Sequence, residues 1–448
     1  MYISTGFTKA TILFLSAALL AGCGLSPVPG PEVSTPTDVL STAPTEAAEP
    51  LSPTEGVEPT PTTPLPPSAG TLRVAYVKDG NLWVWTEANG SQALTTTGNI
   101  NEVTLSDDGM LVAFTRQVDD FHSEIWVITT DGTGERLLVS TADIEAMVIN
   151  RSPDASGVAP HQIAWIPGTH ALAFNTRQSF MVGFLLNDDL RLVNAASGEQ
   201  VTVLPQNAGG MFYYSPDGSQ IAITTPNKLF LVNADGSNRR DDLLSYEEVI
   251  TSSEYRFYAS PVWSADSSSL YVAIPPRDPL AARDQATTIW RVPTDGSPAV
   301  QLGGVPATFF GGGVAFAPDL TGLIYQREVG SPQDNLRELH LADSELTEDR
   351  VLFTLPLLQF HGWAGDSEHF FFSSGPDNQM QLASLDGMVR PLMPEAGVFF
   401  NIMPVGTNQF LYMKDDQGAW EFGLADLQGQ KQVIDQISGF PASFDFDL

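Results

Sequence analysis

The sequence of 448 residues predicts an all-β fold, and three observations lead to this prediction. Apolar anchor residues recur along the chain from about residue 105 onward, at intervals of 40 to 60 residues. A tight turn rich in Pro, Asp, Gly and Ser follows each anchor, and an apolar strand begins seven positions after it. Two further short segments complete each unit. Four short antiparallel strands per unit, repeated along a chain, are typical of a β-propeller.

The first two strands of each unit are the most regular feature. Ser215-Pro216-Asp217-Gly218 illustrates the turn between them: Pro presets φ, the Asp side chain caps the turn, and Gly accepts a positive φ. The anchors and the first residues of the strands that follow them are Leu105 with Val112, Trp165 with Leu172, Tyr214 with Ile221, Trp263 with Leu270, Phe316 with Leu323, Trp363 with Phe370, and Met403 with Phe410.

A third strand is predicted in each unit, and Asp-Gly turns such as Asp235-Gly236 lead into a fourth. The predicted third strands cover residues 81–85, 124–127, 190–193, 228–231, 288–291, 338–341, 380–383 and 420–423. The Ser-Pro-Asp-Gly turn, the aliphatic strand and the Asp-Gly hairpin together resemble the WD-like repeat of TolB-type propellers, which prolyl-oligopeptidase-type peptidases also contain. The resemblance covers residues 71–448. It implies a propeller and says little about function, because scaffolds and enzyme domains share the repeat.

The repeats predict eight four-stranded blades closed by both ends of the chain. The first unit lacks an innermost strand, since Pro67 stands where its anchor would be expected. The alternating stretch at residues 443–448 is otherwise unpaired, and we expect it to complete that blade and remove an open sheet edge. Seven blades is the alternative, if the unit around Met403 is not independent.

The N-terminal region predicts an anchor and a tether. Residues 1–22 have a basic start at Lys9 and an apolar run too short to span a bilayer, as in a signal peptide. Leu20-Ala21-Gly22-Cys23 resembles the lipobox of bacterial lipoproteins, which implies lipidation of Cys23; an ordinary secretory signal is the alternative. Residues 24–70 hold 12 Pro and 8 Thr with no Lys, Arg or aromatic residue. Residues 23–70 are therefore expected to form a disordered linker ahead of the propeller at 71–448.

Composition excludes some functions. The chain has 21 basic and 53 acidic residues, a net charge of -32, and one cysteine. A phosphate backbone requires clustered cations, so a nucleic-acid surface is excluded. One cysteine excludes an internal disulfide. The six histidines are scattered without metal-ligand spacing, and no Gly-x-Ser-x-Gly motif occurs, so we predict no cofactor and no metal site.

Long connections predict which face of the propeller carries function. In an antiparallel meander, the second-to-third and fourth-to-first connections share one side, here called the loop face; the other two turns form the plain face. Insertions concentrate on the loop face, at residues 117–123, 139–162, 176–188, 241–260, 275–287 and 327–335. The candidate binding residues on this face are Arg116, His122, His161, Arg177, Tyr255, Arg256, Tyr258, Arg277, Phe309, Phe310, Arg327, His361, Phe399 and Phe400.

These observations predict a monomeric, extracytoplasmic lipoprotein on a bacterial membrane, either at the cell surface or in the periplasm. Its propeller is expected to act as a binding scaffold for a protein, peptide or other ligand at the loop face. The alternative hypothesis is a propeller enzyme of lyase or glycoside hydrolase type with its active site at the centre of that face. A pocket with converging His and Asp would favour the enzyme, and a broad face ringed by Arg and Tyr would favour binding.

Overall fold

The structure is a computed structural model that describes residues 71–448 except 252–254, 281–284, 310–312, 332, 394, 396, 417 and 439–442, and the side chains of residues 242 and 416. The predicted signal segment, Cys23, the linker and Phe310 lie outside the described residues. The described strands form eight antiparallel sheets, and this confirms the predicted eight-bladed propeller. Blade 3 has a fifth strand in addition to the usual four.

The first four blades follow one another in the chain. Their elements are β1 (Arg73–Lys78), β2 (Asn81–Thr86) and β3 (Gly90–Ala93) in blade 1; β4 (Ile100–Leu105), β5 (Leu111–Gln117), β6 (Ser123–Thr129) and β7 (Arg136–Val139) in blade 2; α1 (Thr141–Met147), then β8 (Gly157–Trp165), β9 (Ala171–Ser179), β10 (Phe184–Leu186), β11 (Leu190–Asn194) and β12 (Gln200–Leu204) in blade 3; and β13 (Met211–Tyr214), β14 (Gln220–Thr225), β15 (Lys228–Asn233) and β16 (Arg240–Ser245) in blade 4.

The remaining blades repeat the pattern. Their strands are β17 (Val262–Trp263), β18 (Ser269–Ile274), β19 (Thr287–Pro293) and β20 (Val300–Val305) in blade 5; β21 (Val314–Phe316), β22 (Gly322–Val329), β23 (Leu336–Asp343) and β24 (Asp349–Pro356) in blade 6; β25 (Gln359–Trp363), β26 (His369–Ser373), β27 (Met380–Ser384) and β28 (Val389–Met393) in blade 7; β29 (Phe399–Val405), β30 (Gln409–Asp416), β31 (Ala419–Asp426) and β32 (Lys431–Ser438) in blade 8; and β33 (Phe444–Asp447), which joins blade 1.

The C-terminal strand closes the ring as predicted. β33 pairs antiparallel with β1, with Phe444 opposite Tyr76 and Asp447 opposite Arg73, so it takes the missing innermost position of blade 1. β33 also bonds to blade 2, because buried Asp445 accepts hydrogen bonds from the Leu105 backbone N–H at 2.8 Å and the Thr104 hydroxyl at 3.1 Å. Blade 8 is an independent four-stranded sheet, so the seven-blade alternative was wrong.

The pairing of the first two strands agrees with the sequence prediction in blades 2 to 7. Each anchor there lies opposite the residue seven positions later, as Trp165 lies opposite Leu172. Blade 8 differs, because Met403 pairs with Leu411, and Phe410 pairs with Pro404. The turn of this blade is one residue shorter, and an irregularity between Phe400 and Met403 shifts the register.

The hydrophobic core is divided among the contacts between blades. Eight clusters of buried side chains occur among the described residues, and each joins two sequential neighbours. Val84 and Val103 belong to the cluster between blades 1 and 2, and Ile437 and Phe444 belong to the one between blades 8 and 1. Eight blades joined by eight such contacts form a closed ring, so every blade buries both of its faces.

Three anchor tryptophans also fasten neighbouring blades by hydrogen bonds. Each indole N–H donates to the backbone carbonyl one residue before the anchor of the preceding blade. The pairs are Trp165 with Thr104 at 3.1 Å, Trp263 with Tyr213 at 3.0 Å, and Trp363 with Ala315 at 3.0 Å. These tryptophans are buried, as the repeat pattern indicated, whereas Trp83, Trp126, Trp290 and Trp420 are half-buried.

Arginines on the plain face make a second set of contacts between blades. Each stands near the start of a fourth strand and donates to a carbonyl in the third-to-fourth turn of the next blade. The pairs are Arg136 with Ala195, Arg240 with Thr294, Arg350 with Leu385, and Arg390 with Leu427. The basic residues are therefore shared between both faces of the propeller.

The predicted long connections contain regular structure: residues 241–260 include most of β16, and residues 327–335 include the end of β22. Residues 139–162 include α1 and the first half of β8, and residues 176–188 include the end of β9 and all of β10. α1 begins at a capping box in which the Ser140 hydroxyl accepts from the Asp143 backbone and the Asp143 carboxylate accepts from the Ser140 backbone. No helix in the described part of the chain is both long and apolar enough to cross a membrane.

Candidate functional site

A group of polar and aromatic side chains lies on the loop face around blade 3. We call Glu102, His161, Arg177, Phe184 and Tyr255 the blade-3 cluster. The Phe184 ring is 4.8 Å from the His161 ring and 5.0 Å from the Tyr255 ring, measured between centroids. The Arg177 guanidinium carbon lies 5.0 Å from the centroid of Phe184, within the range of a cation–π contact. The cluster thus contains residues from β4, β8, β9, β10 and the connection before blade 5.

Backbone irregularities place these side chains. The register of β8 against β9 shifts between Pro160 and Ile163, and His161 lies in this irregularity. β9 continues beyond its pairing with β11, and β10 pairs with this extension, so that Phe184 lies opposite Ser179. The extended part of blade 3 therefore carries Arg177 and Phe184 beyond the regular sheet, towards the residues of neighbouring connections.

The electrostatics of the cluster are unusual. Burial, together with the smaller effect of the Arg177 charge, lowers the pKa of His161 to about 3, so the imidazole is neutral near pH 7. Burial also lowers the pKa of Arg177. Burial raises the pKa of Glu102 to about 7, although the Arg177 charge opposes the shift. The Glu102 carboxyl group can therefore take up or release a proton close to neutral pH.

Two nitrogens of the cluster have no hydrogen-bond partner among the described residues: His161 Nδ1 and Arg177 Nε. Within the same part of the chain, no carboxylate lies within 4.0 Å of the Arg177 guanidinium nitrogens to form an ion pair. Buried polar atoms in folded proteins are nearly always hydrogen-bonded. The cluster therefore holds unused hydrogen-bonding capacity beside a positive charge.

A second polar group adjoins the cluster. The Tyr258 hydroxyl donates to Asp188 Oδ1 at 2.9 Å, and burial raises the pKa of Asp188 to about 6. The exposed Arg256 forms an ion pair of 2.8 Å with Glu248. Asp189, which follows Asp188 in sequence, is fully buried and pairs with Arg191 at 2.9 Å, so this second carboxylate serves the packing of blade 3.

A cleft of about 1120 Å³ crosses blades 5, 6 and 7 on the loop face. Phe309 and Arg327, both predicted from the sequence, line it. The exposed apolar side chains along its walls are those of Leu280 (40% exposed), Leu357 (49%) and Val398 (40%). Its other described lining residues include four prolines, several amide or hydroxyl side chains, and the charged residues Arg337 and Glu328.

The charges of the cleft are arranged in loose pairs across β22 and β23. Arg337 lies 3.6 Å from Glu328, and Arg327 lies 3.9 Å from Glu338. Arg337 also donates to the Leu358 backbone carbonyl at 3.2 Å. Arg327 is half exposed, and its long ion pair leaves guanidinium N–H groups facing solvent.

Other predicted binding residues have local partners. Arg116 forms an ion pair of 2.6 Å with Glu135, and its guanidinium carbon lies 4.4 Å from the Trp126 ring centroid. His122 lies between two carboxylates, with Nδ1 2.8 Å from Asp119 and Nε2 3.0 Å from Glu145 of α1. These contacts tie connections of blade 2 to neighbouring elements.

The predicted residues of blades 7 and 8 contribute mainly to packing. His361 Nε2 lies 2.8 Å from the Ser373 hydroxyl, and burial lowers the pKa of His361 to about 4. Phe399 is fully buried, with its ring 6.4 Å from Tyr412. Phe400 meets the Trp420 ring edge-on at 5.1 Å. Arg277 lies elsewhere, in the connection between β18 and β19 of blade 5. Its side chain is exposed, and its backbone carbonyl accepts from the Ile250 backbone N–H at 2.7 Å.

Sequence reasoning missed Glu102, Phe184 and Arg337. Glu102 stands three residues before its anchor, Leu105. The matching positions of the other units hold uncharged residues: Gln162, Met211, Ser260, Gly313, Phe360 and Phe400. A charge at this position of an innermost strand was therefore a detectable signal. Phe184 gave none, because its short apolar segment looks like part of a loop.

Comparisons with known proteins support the fold. No protein-family model matches the sequence, and no curated protein does either. The chain is similar to dipeptidyl peptidase 4 of Porphyromonas gingivalis, with a TM-score of 0.53 and 10% identity over 81% of this chain; it covers only 56% of that one. It also matches TolB of Acinetobacter baumannii (TM-score 0.33, 11% identity, 61% of each chain). A third match is the propeller domain of the Trilobed protease of Pyrococcus furiosus, with a TM-score of 0.44 and 13% identity over 62% of this chain and 83% of that one. At these identities the likeness concerns the propeller fold alone.

Proposed function

We propose that this chain is an extracytoplasmic lipoprotein, anchored to a bacterial membrane through Cys23, whose propeller binds a protein partner in the loop-face cleft. The observation that carries the proposal is the cleft itself, with Leu280, Leu357 and Val398 exposed along one continuous depression. Apolar side chains gathered in one exposed patch mark interaction sites more often than isolated ones do.

The dimensions and chemistry of the cleft suit an extended peptide segment of a partner. Sites for small molecules typically enclose about 300–1000 Å³ and bury most of their ligand. The cleft exceeds that range and runs across three blades. Its apolar walls would receive alternate side chains of the segment, and Arg327 would receive an acidic residue. Long connections on a rigid scaffold are a common location for such sites.

The same lining favours protein binding over glycoside hydrolysis in the cleft. Glycoside hydrolysis usually requires two carboxyl groups that flank the scissile bond. Among its described lining residues the cleft offers one carboxylate, Glu328, and Arg337 already lies 3.6 Å from it. The remaining charged groups of the lining are arginines, and these suit recognition of an acidic segment.

Affinity capture with matched variants tests the proposal. The full-length lipidated chain would be isolated from its own membrane as the wild type, as Leu357→Asp and as Met388→Asp. Met388 is an exposed apolar residue on the plain face (69% exposed) and serves as the control. We expect Leu357→Asp to lose a protein that the wild type and Met388→Asp retain. Identical sets of captured proteins from all three, with equal melting temperatures, would exclude the cleft as the binding site.

A further inference from the structure

The blade-3 cluster contains features that the binding of a protein in the cleft does not use. None of its residues lines the cleft, which is built from blades 5 to 7. Arg177 brings a positive charge, Phe184 covers one side of the guanidinium, and Nε lacks a partner among the described residues. His161 brings a neutral ring with a similarly unpartnered Nδ1. Orphaned hydrogen-bonding atoms from two different strands converge on one place, and this indicates a ligand.

We propose that the blade-3 cluster is a binding site for a small monoanionic carboxylate that carries an apolar group. A guanidinium has a fork of N–H donors that matches the two oxygens of a carboxylate. Phe184 and Tyr255, whose rings lie 5.0 Å apart, supply an aromatic wall for the apolar group. His161 Nδ1 is buried without a hydrogen-bond partner among the described residues, and on binding it would donate to a carboxylate oxygen or accept from a hydroxyl group, according to its tautomer.

The charge of the site selects the ligand class. Arg177 contributes one positive charge, and the protonated Glu102 contributes none, so a single carboxylate neutralises the site. Ionised Glu102 would instead interact with Arg177 and repel the ligand. Binding is therefore coupled to protonation of Glu102, and the affinity should fall as pH rises through the pKa of about 7.

Glu102 has a pKa of about 7, whereas Asp188, in the polar group that adjoins the cluster, has a pKa of about 6 and is therefore mostly ionised above pH 7. His161 on β8 stays neutral, because burial and Arg177 lower its pKa to about 3. The strands beside β4 hold further charged or titratable groups, which are Arg73, Tyr76 and Lys78 on β1, Arg116 on β5, and Asp445 and Asp447 on β33. Asp445 accepts hydrogen bonds from β4 itself, at Leu105 and Thr104. Lys78 pairs with Asp435 at 2.6 Å.

Calorimetric titration of the full-length chain with benzoate tests the proposal, with benzyl alcohol as the neutral isostere and inorganic phosphate as the alternative anion. We expect benzoate to bind near pH 6, and its affinity to fall by about tenfold per pH unit above pH 7, as for one linked proton. Benzyl alcohol and phosphate should bind far more weakly. Glu102→Gln should bind benzoate with little pH dependence, and Arg177→Gln should lose binding.

Controls separate the loss of a ligand contact from a loss of structure. Arg291→Gln removes an arginine of blade 5 that lies 3.2 Å from Glu345 and outside the blade-3 cluster, and it should bind benzoate as the wild type does. The flat pH profile of Glu102→Gln gives a readout that does not depend on Arg177. Absence of benzoate binding at pH 6, equal binding of benzyl alcohol, preference for phosphate, or undiminished binding by folded Arg177→Gln would each overturn the proposal. Binding in the cleft would be unaffected by any of these results.

Discussion

At the scale of single residues, Glu102 combines partial burial with a nearby positive charge. Its pKa rises from the ordinary value of 4.5 to about 7, because loss of hydration outweighs the attraction of Arg177. The folded state therefore holds the proton more tightly than the unfolded state does. Between these two pKa values, a rise in pH removes stability, since the ionised carboxylate is more costly in the folded protein than in the unfolded chain.

The variant Glu102→Gln measures this effect. Glutamine is close in shape but does not ionise, so it escapes the loss of stability that ionisation causes. We expect the free energy of unfolding of the variant, relative to wild type, to increase by roughly 1–3 kcal/mol from about pH 4 to about pH 8. Denaturant titrations at both pH values give this difference. A constant difference across the range would mean that Glu102 has an ordinary pKa.

The anchor tryptophans give a second prediction. Trp263→Phe keeps an aromatic ring but removes the N–H that donates to the buried Tyr213 carbonyl. We expect a loss of about 1–2 kcal/mol in the free energy of unfolding. Trp290→Phe is the matched control, because the half-buried Trp290 donates to Thr288 on its own strand. An equal effect of both substitutions would refute a special role for the bond between blades.

Residue types were easier to predict than their partners. The loop positions of Arg177, Tyr255 and Arg256 marked them as binding candidates, and the structure brings Arg177 and Tyr255 together around Phe184. Arg116 carried the same signal but pairs with Glu135 across blade 2. Pairings of this kind depend on how adjacent strands and turns are aligned in space, and the repeat pattern does not specify this for individual side chains.

At the scale of elements, β33 closes the ring by pairing with β1. Deleting residues 443–448 removes the innermost strand of blade 1 and the Asp445 bonds to blade 2, and leaves the edge of β1 unpaired. We expect a sharp fall in melting temperature, measured by circular dichroism. Within the strand, Phe444→Ala should destabilise more than Phe446→Ala, because Phe444 is buried and its ring lies 5.0 Å from Phe422. An unchanged melting temperature of the deleted chain would contradict closure.

Elements that depend on local turn chemistry were predictable, and those that depend on pairing at a distance were not. The tight turns set the register in blades 2 to 7 from nearby residues alone. The register of blade 8 differs from that of the other blades because its turn is one residue shorter. In the sequence, Met403 and Phe410 have the same seven-residue offset as the other pairs. β10 was missed because three residues gain stability only against the extended end of β9. α1 was missed although Ser140 and Asp143 have the spacing of a capping box.

At the scale of the whole molecule, the ring presents two different faces. The plain face carries short turns and the arginines that donate to neighbouring blades. The loop face carries the cleft and the blade-3 cluster. Residues 71–448 contain 20 basic and 47 acidic residues, so the arginines of the loop face act within a negative field. The proposed partner would therefore need local acidic groups opposite these arginines.

The proposed anchor gives a prediction for the intact chain. Cys23 is the sole cysteine of the sequence, so Cys23→Ala removes the only thiol that could accept lipid. We expect this variant to lose incorporation of a labelled fatty acid and to leave the membrane fraction, because durable anchoring depends on several acyl chains. Ser26→Ala should retain both properties. Retention of Cys23→Ala in the membrane, without label, would point to attachment by another route.

Site-specific photocrosslinking in the native membrane tests the central claim most directly. A photoreactive amino acid would replace Leu357 in the cleft or Met388 on the plain face, both of which are exposed. The cleft position should yield one discrete crosslinked protein, and the plain-face position should not yield it. The same adduct from both positions, or an adduct from Met388 alone, would contradict the assignment of binding to the loop-face cleft.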